Sequence, residues 1–302
     1  MKQEEMAPTE LAKMTVVYSI PGVEAVTVRR DVPYRETESA SLGFDVYYPP
    51  GAAPDDRRPA VLIVYGYSDA GVPNPFGRSF KELGMTVSWA RLIAASGMVA
   101  ILYSNREPVE DVQSVLDHVR DHAASLGIDE TRLGLWAGSG NVPLALWLMM
   151  QKERRDVKCA VLCYGFMLDV PGGSSVADMQ KTYRFANPSA GKSVDDVRDD
   201  LPMLIVRAGR DQFPGINDTI DSFVSGALRR NLPVRVINHA DAPHAPDLFH
   251  DSDATREIIR EILRFMRFHL SGPAEAGHYN DPAEAGHYND PAGAGHYNGS
   301  NE

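Results

Sequence analysis

Ser139 stands where a serine hydroxyl could act as a nucleophile. Around it the chain reads Leu133-Gly134-Leu135-Trp136-Ala137-Gly138-Ser139-Gly140-Asn141-Val142-Pro143, an apolar run that passes through a small-residue turn straight into a helix-like segment. A strand–turn–helix of this kind holds its serine on a sharp, strained bend with the hydroxyl projecting. The neighbours must be small so that strand and helix can approach, and Ala137, Gly138 and Gly140 meet that demand. The helix N-terminus beneath the turn brings partial positive charge to the place where an oxyanion would develop. The usual spelling has glycine two residues either side of the serine; here those places hold Ala137 and Asn141. Taken alone, the stretch has a bland alternative, a glycine-rich turn that only closes the fold.

A serine hydroxyl is a weak nucleophile near neutral pH and needs a base. On a scaffold with this turn the chain order is serine, acid, histidine. After Ser139, the apolar run Pro202–Ala208 ends in Gly209-Arg210-Asp211, which puts a carboxylate just past a strand end. The next run, Val234–Asn238, leads into His239-Ala-Asp-Ala-Pro-His244-Ala-Pro-Asp247. We expect His244 as the base and Asp211 as the group that holds its tautomer and stabilises the imidazolium. His239 is the rival base, although it abuts the strand end and has less loop with which to reach inward. Asp169 is the rival acid. His250 reads as structural, and Asp218 and Asp221 as solvated helix residues. An oxyanion would be met by two backbone N–H groups, one from Gly140. The other comes from the loop Gly66-Tyr67-Ser68-Asp69-Ala70-Gly71, with Tyr67 the expected donor and Ser68 the next choice.

These residues need a scaffold that brings distant segments to one edge. Val23–Arg29 and Leu42–Tyr48 read as lead-in strands, the second stopped by Pro49-Pro50-Gly51. Beyond them, apolar runs alternate with helix-period segments. The strands expected are Ala60–Tyr65, Met98–Tyr103, Arg132–Ala137, Lys158–Tyr164, Pro202–Ala208 and Val234–Asn238. The helices expected are Ser88–Ser96, Val109–Leu126, Val142–Gln151, Asp218–Arg229 and Asp253–His269. Such alternation predicts an α/β fold, with a mostly parallel central sheet, helices on both faces and an N-terminal β-rich lead-in. Residues 165–201 are rich in Gly, Ser, Asp and Pro. They predict a long loop with one or two short helices above the sheet, either an active-site cover or a passive excursion.

With these motifs in hand, the chain resembles the α/β-hydrolase superfamily from about Val26 to Leu270, within it the dienelactone-hydrolase-like and esterase/prolyl-oligopeptidase-like branch. Phe44-Asp-Val-Tyr-Tyr-Pro-Pro looks like that branch's lead-in strand. Ala208-Gly-Arg-Asp211 is similar to its acid motif, and Pro243-His244-Ala-Pro-Asp247 to its histidine motif. The resemblance implies an α/β-hydrolase fold and cleavage of a carboxylic ester, or a related acyl bond, in a small molecule through an acyl-enzyme on Ser139. Dienelactone hydrolases proper use cysteine, so the serine favours an esterase. An acyl-peptide or small-peptide hydrolase with the same triad, and a binding protein with a degenerate site, are the alternatives.

Composition narrows the field further. The formal net charge of −11 and the absence of Lys/Arg clusters argue against nucleic acid as a partner. The longest apolar runs fall far short of the ~20 residues that a bilayer requires. No apolar leader opens the chain, and the two cysteines, Cys159 and Cys163, read as buried thiols, so the expected location is the cytoplasm. No nucleotide-binding glycine pattern occurs and no cofactor is expected. His118 and His122 are four apart, but Val119 stands where a zinc-peptidase helix carries Glu, so a solvated face is expected rather than a metal. The domain division expected is a flexible start (1–14), a hydrolase domain (15–272) and a disordered repeat tail (273–302). In the tail PAEAGHYND occurs twice and PAGAGHYNG once, with His278, His287 and His296 as remote metal candidates. Oligomeric state is not legible.

Overall fold

In the computed structural model, which describes residues 7–37, 40–53, 56–70 and 78–276, one eight-stranded sheet carries the chain. Its strands are β1 (Thr27–Thr37), β2 (Ala40–Tyr48), β3 (Arg58–Ile63), β4 (Val99–Tyr103), β5 (Ile128–Gly138), β6 (Val157–Cys163), β7 (Met203–Ala208) and β8 (Val234–His239). Their spatial order is β1-β2-β4-β3-β5-β6-β7-β8. The β1–β2 and β2–β4 pairs are antiparallel; β4, β3, β5, β6, β7 and β8 run parallel. The apolar runs of β3, β4 and β7 are almost wholly buried, because helices cover both faces of a parallel sheet.

The helices are α1 (Pro8–Leu11), α2 (Gly84–Ala95), α3 (Pro108–Asp121), α4 (Val142–Met149), α5 (Ser175–Tyr183), α6 (Ile216–Arg229), α7 (Pro246–Phe249) and α8 (Asp253–Ala276). From β3 the chain steps to β4 on one side and then to β5 on the other. That reversal, with right-handed crossovers, puts α2 on one face and α3, α4 and α6 on the opposite one. It also opens a crevice at the carboxyl ends of β3 and β5, the place where ligands bind in open α/β sheets.

Several expectations are corrected. The first strand lies at Thr27–Thr37, not Val23–Arg29, and Val23–Ala25 forms a 3-10 turn instead. The helix expected over Val109–Leu126 ends at Asp121 and passes through a 3-10 turn to Gly127, whose φ of 63° stops it. Part of the expected flexible start packs against the domain: Leu11 is half-buried, and Ala12 is buried with its carbonyl accepting from the Gly84 N–H at 2.8 Å. Residues 165–201 form α5 and a 3-10 turn at Val194–Asp196, as expected. The last helix runs on to Ala276; the rest of the repeat tail, with its three histidines, lies outside the described residues, as do residues 1–6. Among the described residues no helix is long and apolar enough to cross a membrane. Cys159 and Cys163 are buried free thiols, with burial pushing Cys159 up to about 12.

A buried ion pair ties the lead-in strands to the loop beyond β3. Lys81 Nζ donates to Asp45 Oδ1 at 2.9 Å, with side chains only 10% and 2% exposed, and it also pairs with the exposed Asp31. Removing Lys81 leaves the buried Asp45 carboxylate only the exposed Arg30, at 3.3 Å, as a charged partner, besides the Asp31 N–H. Lys81→Met is therefore expected to destabilise by about 2 kcal/mol, while Asp31→Asn stays within about 0.5 kcal/mol. Urea unfolding of both variants checks this, and equal effects would contradict it.

Candidate active site

β5 delivers Ser139 at the crevice. The strand ends at Gly138, Ser139 takes φ 58°, and α4 starts three residues later. A non-glycine residue in the left-handed region carries about 1–2 kcal/mol of strain, and the backbone tolerates it here because strand and helix fix both sides. The same conformation recurs at Tyr164 (φ 37°), just past β6, and at Ala245 (φ 49°), next to His244. Such strain gathers where side chains must be aimed.

Asp211 and His244 arrive from the loops after β7 and β8. His244 Nδ1 lies 2.7 Å from Asp211 Oδ2, and Nε2 lies 2.9 Å from Ser139 Oγ. The Asp211 side chain is fully buried and its Oδ1 accepts from the Phe213 N–H at 2.9 Å. That leaves Oδ2 for the imidazole, so Nδ1 carries the proton and Nε2 is free to accept from the serine. The ring is held edge-on by Phe213 and Tyr164, at centroid distances of 4.5 and 5.2 Å. The Gln212 side chain accepts from the His244 N–H at 3.2 Å. The structure thus brings together Ser139, Asp211 and His244.

The rivals are occupied elsewhere. His239 lies 3.2 Å from Thr255 Oγ1 and packs against His250, with burial and His250 lowering its pKa. Asp169 Oδ1 accepts from the Val176 N–H at the start of α5. Asp221 pairs with Arg207. His118 and His122 stack on each other, and no group of three or more metal-ligating side chains forms among the described residues.

Gly140 and Tyr67 meet across the crevice. The Tyr67 ring lies over the turn, so a Cβ on Gly140 would come 2.2 Å from the phenol oxygen. A Cβ on Gly66 would come 2.9 Å from the Gly140 carbonyl, so the two loops touch backbone to backbone. The Gly140 and Tyr67 N–H groups donate in none of the loop, turn or side-chain hydrogen bonds found among the described residues. Open backbone donors beside a serine hydroxyl are what an oxyanion would require.

The serine opens into a cavity of about 700 Å³. Its wall is aromatic, with Tyr65, Tyr67, Phe80, Trp89, Trp136 and Tyr164 among its lining. Phe166, Tyr183 and Arg184 line it as well, so the 165–201 segment forms part of the wall. Leu11 contributes from α1, a role that a four-residue helix with no buried stripe does not announce in sequence.

The histidine motif carries one further buried carboxyl, Asp247, at the cavity wall. Asp247 accepts from Trp89 Nε1 and from the Tyr164 hydroxyl, each at 2.7 Å. Burial pushes its pKa up, against these two donors and the nearby His244, which pull it down. The position three residues after His244 was the only sequence signal.

No protein-family model matches the chain, and no curated protein does so by sequence. By structure it is similar to esterase 2 of Thermogutta terrifontis, solved phosphonylated by sarin, at 20% identity and TM-score 0.61, covering 83% of this chain and 96% of that one. It is also similar to brefeldin A esterase, a bacterial homologue of human hormone sensitive lipase, at 14% identity and TM-score 0.65, covering 87% and 82%. A fungal esterase of Rhizomucor miehei aligns at 15% identity and TM-score 0.64, covering 89% and 90%. At these identities the likeness establishes the fold, and the fold is that of the α/β-hydrolases.

Asp247 gives the site a signature in stability. Asp247→Ala, which strands the Trp89 and Tyr164 donors, is expected to lose about 3 kcal/mol. Asp247→Asn, which can still bond both, is expected to lose far less. The native carboxyl keeps its proton to higher pH than the unfolded one, so the native state binds more protons above the ordinary carboxylate range. Stability relative to Asp247→Asn therefore rises as pH falls through the native pKa. Urea midpoints measured from pH 8 to 4 check the sign, and a wild type that loses ground to the variant on acidification would contradict it.

Proposed function

We propose that this protein is a serine hydrolase that cleaves a carboxylic ester of a small molecule. The observation that carries the reading is the continuous relay Asp211–His244–Ser139, at 2.7 and 2.9 Å, opening into an apolar cavity. Ser139 Oγ attacks the ester carbonyl while His244 Nε2 takes its proton. The carbonyl oxygen becomes an oxyanion held by the Gly140 and Tyr67 amides, each worth about 3 kcal/mol of barrier. His244 then returns the proton to the departing alkoxide, leaving the acyl group on Ser139. A water, deprotonated by His244, attacks the acyl carbon; the tetrahedral adduct collapses, Oγ recovers its proton and the carboxylic acid leaves.

Asp211 holds the ring and stabilises the imidazolium as it forms. Serine at the turn, in place of cysteine, favours an esterase over a dienelactone hydrolase. The functional unit is the domain expected over 15–272 together with Leu11 of α1, which lines the cavity, and the repeat tail lies outside the chemistry. Two buried free thiols fit a reducing compartment, and the cytoplasm is the proposed location.

Turnover of p-nitrophenyl esters from acetate to octanoate, with peptide amides in parallel, tests the reading. Wild type is expected to hydrolyse esters, and Ser139→Ala and His244→Ala to lose at least about 10⁴-fold in kcat while remaining folded. Full activity in Ser139→Ala would overturn the assignment. Cleavage of amides in preference to esters would move it to a peptidase.

A further inference from the structure

Asn141 departs from the usual spelling of the turn, and its side chain is committed at both ends. Asn141 Oδ1 accepts from the Gly66 N–H at 2.8 Å, and Asn141 Nδ2 donates to the Gly138 carbonyl at 2.9 Å. The first bond reaches the loop after β3 and the second stays within the serine turn. One planar amide therefore joins the two segments that carry the Tyr67 and Gly140 N–H groups. A glycine at this place could make neither bond.

The neighbouring peptide group is fixed as well. The Gly66 carbonyl accepts from the Ala186 N–H at 2.6 Å. That carbonyl and the Tyr67 N–H belong to one trans peptide plane and point in opposite directions. Fixing the oxygen fixes the N–H, and a hydrogen bond to the oxygen also polarises the N–H and strengthens it as a donor. Further along the loop, Ser68 Oγ donates to the Arg106 carbonyl at 2.7 Å, and Asp69 accepts from Ser79 Oγ and the Phe80 N–H at 2.6 and 2.8 Å. The loop is held from outside, while Asn141 supplies a side-chain hydrogen bond that ties it to the serine turn. Preorganised donors need no reorientation as charge develops, and this is the source of their catalytic value.

We infer that Asn141 is a positioning residue of the oxyanion hole, coupling the Tyr67 amide to the Gly140 amide in place of the glycine expected there. The inference rests on the serine-hydrolase reading above. It does not touch the reacting atoms; it acts through the two backbone donors.

The test compares wild type with Asn141→Ala, Asn141→Gly and Asn141→Asp on p-nitrophenyl butyrate, together with affinity for a trifluoromethyl ketone. That inhibitor adds Ser139 Oγ to its carbonyl and leaves a tetrahedral oxyanion in the hole. The alanine and glycine variants are expected to lose about 30-fold in kcat, with KM changed less than about 3-fold. Affinity for the trifluoromethyl ketone should fall in step with kcat/KM, whereas affinity for butyrate should hold. Asn141→Asp, which keeps an acceptor for Gly66 but adds negative charge beside the oxyanion, should lose more than alanine. If alanine fails to fold, the near-isosteric aspartate and the sterically permissive glycine give the same reading. Unchanged kcat in these variants, or a loss confined to KM and thermal stability, overturns the inference while leaving the hydrolase reading intact. Absence of ester turnover in wild type overturns both.

Discussion

The hydrogen bond between Ser139 Oγ and His244 Nε2 is the contact on which the rest of the molecule converges. It spans 105 positions in the chain and exists only because β5 and β8 end at the same edge of one sheet. Its two sides are held by different means. On the serine side the backbone is forced into the left-handed region by a tight strand–helix turn. On the histidine side the ring is clamped between a buried carboxylate and two aromatic edges. Both restraints use folding energy to limit where a hydroxyl and an imidazole can go; under the proposed hydrolysis they would spare the reaction that entropy.

Topology explains why the other parts gather there. The chain reverses its direction of growth between β3 and β5, so the loops after these two strands diverge and leave a crevice. Ser139 and Gly140 follow β5, and Tyr67 follows β3. The acid and histidine come from β7 and β8, on the same edge. Asp247 then links the histidine loop to Trp89 of α2 and to Tyr164 past β6, so the floor of the cavity and the His244 loop share one support. The 165–201 segment closes one side of the cavity and, through Ala186, also reaches the Tyr67 loop.

What the sequence made legible follows burial. β3, β4 and β7 were read from continuous apolar runs because both their faces are covered. β1 was misread because it is an edge strand, mostly exposed, in which Arg29, Arg30 and Asp31 leave no apolar alternation. Irregular register after Arg29 and after Pro33 further breaks the period of two. The three converging side chains were legible because each sits just past an apolar run. Asn141 was visible only as a departure from a pattern, since its value lies in a bond to a residue 75 positions away. Leu11 and Asp247 were hidden for the same reason: a contact made across the fold leaves no local periodicity. The packed stretch from Leu11 to Met14 is too short to carry a pattern of its own.

The account's central claim is that Ser139 is the activated nucleophile, and covalent capture tests it most directly. The wild-type protein would be incubated with a fluorophosphonate and its intact mass measured, followed by peptide mapping. The account predicts a single adduct on Ser139, formed rapidly in wild type and slowed by orders of magnitude in His244→Ala. An adduct on a different residue, or labelling of Ser139 at the same rate without the imidazole, would contradict it.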